Sequence, residues 1–152
     1  VPGQDSEALA SHVQLLDEFL FQEHQKGQLK LPLQKISQEK IWVHGHCHQK
    51  AANATGSTLG ILQTIPGLEV ELIPSSCCGM AGSFGYESEN YEISMKMAEL
   101  SLLPKIRTLD QNHGIVACGT SCRQQIHHGS GKPAMHTAQI LRQAISEASS
   151  LN

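Results

Sequence analysis

Three short runs with strand character, 41–44, 69–73 and 114–117, are each followed within four residues by a cysteine. Helical patterns over 51–63 and 91–103 lie between them. Strands alternating with helices argue for a parallel sheet with right-handed crossovers. In such a sheet every strand ends along one edge, which is where open α/β sheets bind ligands. Cys47, then Cys77 and Cys78, then Cys118 and Cys122 therefore converge, although 29 and 39 residues separate the three groups. A fourth short run, 132–135, brings His136 to the same edge and feeds a last helix over 137–148. The expected fold is α/β: a three-layer Rossmann-like domain with a small, roughly four-stranded parallel sheet and its cysteines at strand C-terminal ends.

The chain reads as a single domain, 1–152, with an N-terminal helix and connector over 1–40 and an α/β core over 41–148. Residues 6–25 carry Leu9, Val13, Leu16 and Leu20 at helical spacing, predicting one amphipathic helix that Asp5 or Ser6 caps and Gly27 ends. The helix over 91–103 carries Ile93, Met97 and Leu100 on one face, and a short helix is expected after Cys122. The Ser-rich tail 146–150 reads as a fraying terminus. Val1 in place of Met suggests a fragment cut from a longer polypeptide.

Cys77 and Cys78 are adjacent, and a disulfide between sequence neighbours needs strained geometry. A metal or cluster that wants two thiolates from one loop explains them directly. Gly79, Gly82 and Gly85 let that loop turn tightly and bring backbone N–H groups to a cofactor. Their spacing is not that of a dinucleotide-binding fingerprint. Helix starts after the strands are expected to favour thiolate over thiol. In the run His44-Gly45-His46-Cys47-His48, the two histidines flanking the cysteine are better candidates than His44 for a ligand or a hydrogen-bond donor near the site. The Cys118-x₃-Cys122 spacing weakens a zinc-ribbon reading. Of the two, Cys122 is the stronger ligand, and Cys118 is balanced between ligand and small core residue. His136 faces the same edge, and Lys50 and Arg123 either offset an anionic cofactor or face solvent.

Composition narrows the partners. The formal net charge is −3 and only 4% of residues are aromatic, which leaves no basic footprint or stacking surface for nucleic acid. No apolar run approaches the ~20 residues of a membrane span. Unpaired cysteines in clustered motifs suit a reducing compartment, so the expected location is cytoplasmic, or peripheral on the inner membrane through partners.

Together His46-Cys47-His48-Gln49-Lys50, Cys77-Cys78-Gly79-Met80-Ala81-Gly82-Ser83-Phe84-Gly85-Tyr86-Glu87 and Ser121-Cys122-Arg123-Gln124-Gln125-Ile126 resemble the cysteine-rich CCG domain. That domain occurs in the B-type polypeptide of heterodisulfide reductase, in the iron–sulfur subunit of glycolate oxidase and at the C-terminus of fused FAD-linked oxidases. The resemblance spans residues 41–141 and is strongest to the D-lactate and D-2-hydroxyglutarate type of FAD-linked dehydrogenase. It implies a [4Fe–4S] cluster, cubane or noncubane, with Cys47, Cys77, Cys78 and Cys122 as metal ligands. Cys118 joins these as a cofactor-binding residue, with His46, His48, Gly79 and His136 close behind. It also implies electron transfer from FAD bound elsewhere in a parent enzyme acting on a D-2-hydroxy acid, with a flavin domain and a ferredoxin-like segment as partners. Flavin and ferredoxin motifs are absent from these residues, so the segment alone is expected to be inactive on a hydroxy acid. Two rivals stand beside this reading. One is a structural zinc site of four thiolates. The other is a site where an open metal corner or His136, the one catalytic candidate, touches a hydroxy acid or disulfide directly.

Overall fold

The computed structural model describes residues 3–149. Three parallel strands, β1 (Lys40–His44), β2 (Glu69–Leu72) and β3 (His113–Ala117), form one sheet in the order β2-β1-β3. β1 is central, and Ile41 and Val43 on it are fully buried. β2 is an edge strand, and its exposed Glu69 and Glu71 lie 3.5 and 2.7 Å from the Lys40 ammonium.

Alternation along the strands sends side chains to two cores, as a period of two requires. Ile41, Val43 and Val116 pack with Ile61, Leu62, Ile140 and Ala144. Ile115 and Ala117 pack with Leu102, Ile106, Ile126, Cys78 and Cys122. Two of the five cysteines are therefore core residues as well as edge residues.

Eight α-helices surround the sheet among the described residues: α1 (Gln4–His12), α2 (Leu16–Gln25), α3 (Cys47–Ala51), α4 (Thr55–Leu62), α5 (Tyr91–Glu99), α6 (Leu102–Arg107), α7 (Thr120–Ser130) and α8 (Thr137–Ser149). α8 runs into the Ser-rich tail up to Ser149, and the tail's last serine lies outside the described residues.

Several expectations are corrected. The single helix over 6–25 is two helices, because Val13 takes an extended conformation (φ −78°, ψ 122°). Leu9 and Val13 are left 67% and 69% exposed, so the apolar stripe does not enter the core. α2 restarts where the Glu18 carboxylate accepts the Leu15 N–H at 2.8 Å. Gly27 does follow its end, with a positive φ of 71°.

The helix after β1 begins at Cys47, not residue 51, and is broken at Asn53 (φ 54°). On α5 the buried face is Ser94 and Ala98, while Ile93 and Leu100 are exposed; the chain breaks before α6. The helix expected after Cys122 starts at Thr120, which puts Cys122 in its first turn. Residues 132–135 form no strand: Met135 makes one isolated parallel bridge to Val116. No described helix is long and apolar enough to cross a membrane.

Candidate metal centre

The parallel sheet brings the cysteine loops to one edge. Cys47 opens α3, Cys77 and Cys78 lie in the loop after β2, and Cys122 lies in the first turn of α7. All four line one cavity of about 450 Å³, together with His46, His48, Ala81, Gly82 and Ser121. The Cys78 and Cys122 sulfurs are 3.3 Å apart. All five cysteines are free thiols.

The electrostatics of this cavity differ from the helix-start expectation. Cys78, in a loop, is pushed down to about 4 by its hydrogen bond with the Cys122 sulfur first, with His44 and the Met80 backbone also favouring its thiolate. Cys122 is pushed well above the usual thiol range by that same bond, by burial and by the neighbouring sulfurs. Cys47 is raised by burial and by Cys77 beside it, although it sits at a helix start. Crowded sulfurs resist multiple negative charges, and a cation among them relieves that resistance.

A thiophilic metal centre fits this donor set. Four sulfurs face one cavity, and a buried imidazole nitrogen beside them, His44 Nε2, makes no hydrogen bond. A ring nitrogen of His44 and the sulfurs of Cys78 and Cys122 all lie within 4.8 Å of one another.

Two cations hold the loops. Lys50 Nζ donates to the carbonyls of Ser75 and Ser76 at 2.6 and 2.8 Å, tying α3 to the loop that carries Cys77 and Cys78. Arg123 donates to the carbonyls of Ala117 and Cys118 at 2.9 and 2.8 Å, bracing the turn between β3 and α7. Neither role expected from the sequence, charge offset or solvent exposure, included this bracing. We predict that Lys50→Met weakens metal binding about tenfold, since groups that orient ligands are worth 10–100-fold. Competition with a chelator measures it, and an unchanged affinity would show the loop held without Lys50.

Cys118 faces elsewhere. Its thiol donates to Asp17 Oδ2 at 3.2 Å and lies 3.3 Å from Thr137 Oγ1; burial first, and the Asp17 charge, keep it protonated. It lines a separate pocket of about 280 Å³ with Asp17, His136 and Gly119; His46 and His48 border both cavities. His136 therefore sits beside Cys118, not beside the four other cysteines.

Asp17 was not singled out from the sequence. It is 3% exposed, and its Oδ2 also accepts from Thr58 and Thr137 at 2.6 and 3.1 Å. Asp17→Ala strands the buried hydroxyls of Thr58 and Thr137 and the half-buried Cys118 thiol at about 1 kcal/mol or more each, so the melting temperature should fall by roughly 5–10 °C. A change below about 2 °C in thermal denaturation would mean that water replaces the carboxylate.

His46 caps α3: its Nδ1 accepts the His48 N–H at 3.2 Å, and its own N–H donates to Gln49 Oε1 at 3.0 Å. Burial and His48 lower its proton affinity. Gly79 has a φ of 91°, and its N–H donates to Cys77 Sγ at 3.3 Å.

Comparison with known proteins finds two kinds of dehydrogenase polypeptide among the relatives of this chain. The chain is 29% identical over 143 residues to the C polypeptide of anaerobic glycerol-3-phosphate dehydrogenase of Escherichia coli (strain K12), covering 93% of this chain and 35% of that protein. It is 33% identical over 116 residues to D-2-hydroxyglutarate dehydrogenase of the same organism, covering 75% of this chain and 11% of that one. With the D-2-hydroxyglutarate dehydrogenase of Pantoea ananatis the identity is 34% over 137 residues, covering 88% and 13%. No family model matches the chain, and no solved structure matches it. The chain spans about a third of the first relative's length and under a seventh of the others. It is homologous to segments of larger dehydrogenases.

Proposed function

We propose that this chain is a CCG-type, Rossmann-like iron–sulfur domain of an FAD-linked oxidoreductase acting on a D-2-hydroxy acid of the lactate, glycolate or 2-hydroxyglutarate class. The observation that carries this reading is the convergence of Cys47, Cys77, Cys78 and Cys122 on one cavity in a chain whose relatives are dehydrogenases. A [4Fe–4S] cluster, when bound, supplies one-electron transfer between a reduced flavin and an acceptor. The chain's own residues would do the rest. Cys47, Cys77, Cys78 and Cys122 supply thiolates. The Gly79 N–H donates to Cys77 sulfur, which withdraws charge from it. Lys50 ties the Cys47 segment to the loop of Cys77 and Cys78, and Arg123 holds the turn that leads to Cys122.

In this reading the flavin domain and a ferredoxin-like segment belong to the parent protein, in the cytoplasm, with 1–40 as the connector to the α/β core. Cys118 and His136 fall outside the ligand set, facing Asp17 and the smaller pocket.

One observation favours the zinc reading instead. The 3.3 Å between the Cys78 and Cys122 sulfurs is near the ~3.8 Å of two thiolates sharing one tetrahedral ion with ~2.3 Å bonds. A reductive titration of anaerobically prepared protein, followed by electron paramagnetic resonance, separates the two. A reversible signal of about one spin per chain is expected from a cluster. Iron-loaded protein with no reducible centre overturns electron transfer.

A further inference from the structure

His44 ends the central strand, is 1% exposed, and faces the sulfurs from the core side. Its Nδ1 lies 2.8 Å from Ser75 Oγ. Its Nε2 is buried and makes no hydrogen bond, a desolvated polar atom still without a partner. With Nδ1 taken by Ser75, Nε2 is the nitrogen left for Cys78 and Cys122.

The protonation of the ring follows from what surrounds it. Thiolates that hold a metal carry no proton and can only accept hydrogen bonds. A lone pair on Nε2 would face other lone pairs, whereas an N–H there is satisfied. The Ser75 hydroxyl can donate to Nδ1, and doing so leaves the ring proton on Nε2. Ser75 is in turn held by Lys50 through its carbonyl. The site lies within the second hydrophobic cluster, where a hydrogen bond to a charged sulfur is stronger than in water.

We propose that His44 is the internal hydrogen-bond donor to the ligating sulfurs of Cys78 and Cys122, with its tautomer set by Ser75. This rests on the cluster reading above. A donor here withdraws charge from the thiolates and favours the more negative, reduced state of a cluster, raising its potential. His46 and His48 are less suited to the task. Their backbone and ring atoms cap α3, and both border the open side of the cavity.

The test compares His44→Leu, His44→Gln and Ser75→Ala with wild type, each loaded anaerobically. His44→Leu should keep wild-type iron and sulfide while shifting the reduction equilibrium about tenfold toward the oxidised state, a fall of ~59 mV for a one-electron couple. His44→Gln, which keeps an N–H donor, should recover part of that shift, and Ser75→Ala should move it in the same direction by less. With ¹⁵N-histidine, pulsed electron paramagnetic resonance should give a weak coupling that His44→Gln removes. If His44→Leu does not fold, the other two variants and the coupling carry the test.

An unchanged potential at wild-type iron overturns this inference alone. So does loss of iron in both His44 variants together with a strong nitrogen coupling, which would make His44 a ligand. Wild-type protein without iron and sulfide overturns the cluster reading, and this inference with it.

Discussion

Serine in place of Cys78 or of Cys122 is expected to abolish cofactor binding, while serine in place of Cys118 leaves it intact. The two predicted losses involve the most buried sulfurs, 3.3 Å apart and both within the core. Thiolate metal sites bind with about 10–16 kcal/mol, so each of four ligands carries roughly 3–4 kcal/mol, or more than a hundredfold in affinity. A serine hydroxyl at neutral pH replaces none of this, because it neither ionises nor offers a soft donor. Cys118 differs because its thiol is spent on Asp17 and Thr137, and a serine hydroxyl can make the same donation. Metal per chain, measured on anaerobically purified variants with native circular dichroism, decides the matter. Retained metal in the Cys78 variant contradicts the site; lost metal in the Cys118 variant would return Cys118 to the ligand set.

Gly79→Ala is expected to cost the second large effect, in stability as well as in cofactor. The φ of 91° at Gly79 is a conformation that L side chains rarely adopt, and an added Cβ runs into the backbone carbonyl of Ser94 on α5. Strained backbone accounts for about 1–3 kcal/mol. Ser94 has little room to move: it is buried, and its hydroxyl and carbonyl both accept from Gln125 Nε2, at 3.0 and 3.3 Å. A total loss on the order of 4 kcal/mol corresponds to a drop in melting temperature of about 10 °C or more. Gly82→Ala is the control, since its φ is 71° but open space surrounds its Cβ position. Thermal denaturation should show a much smaller drop there, of roughly 1 kcal/mol. Equal drops would mean that backbone conformation alone governs the loop.

The parts of the fold that were legible in the sequence are those where burial and local pattern agree. β1 and β3 are buried apolar runs, and each falls within a residue of its predicted position. Their parallel pairing follows from the helices between them, and that pairing gathers the cysteines. The misread segments are those where apolar residues do not face the core. Leu9, Val13, Ile93 and Leu100 have helical spacing but stay exposed, so their periodicity says nothing of the buried face. On α5 that face belongs to Ser94 and Ala98, and Gly79 and Gly85 pack so closely on Ser94 that a Cβ on either would collide with it. The run at 132–135 has strand character, but Lys132 instead spends its ammonium on the Leu109 carbonyl, and only Met135 bridges to the sheet.

The gathering of Cys47, Cys77, Cys78 and Cys122 was legible because strand order alone assembles it, whereas the turn of Cys118 toward Asp17 was not. The ranking of the histidines was not. His46 and His48 flank Cys47 in sequence, yet the last side chain of β1, His44, is the one buried against two sulfurs. Strand alternation gives it that direction, and adjacency in sequence carries no such information. Asp17 left no local signal either. An acid in the first turn of a helix reads as a helix-end charge, and its thiol partner lies 101 residues away.

Whether Cys47, Cys77, Cys78 and Cys122 hold a cluster and not a single ion is tested most directly by metal and sulfide content. Iron, acid-labile sulfide and zinc are quantified together on anaerobically purified protein. Near-stoichiometric iron and sulfide, about four of each per chain with little zinc, is the expected result. One zinc per chain without sulfide, in folded protein and persisting after attempted cluster reconstitution, would contradict it.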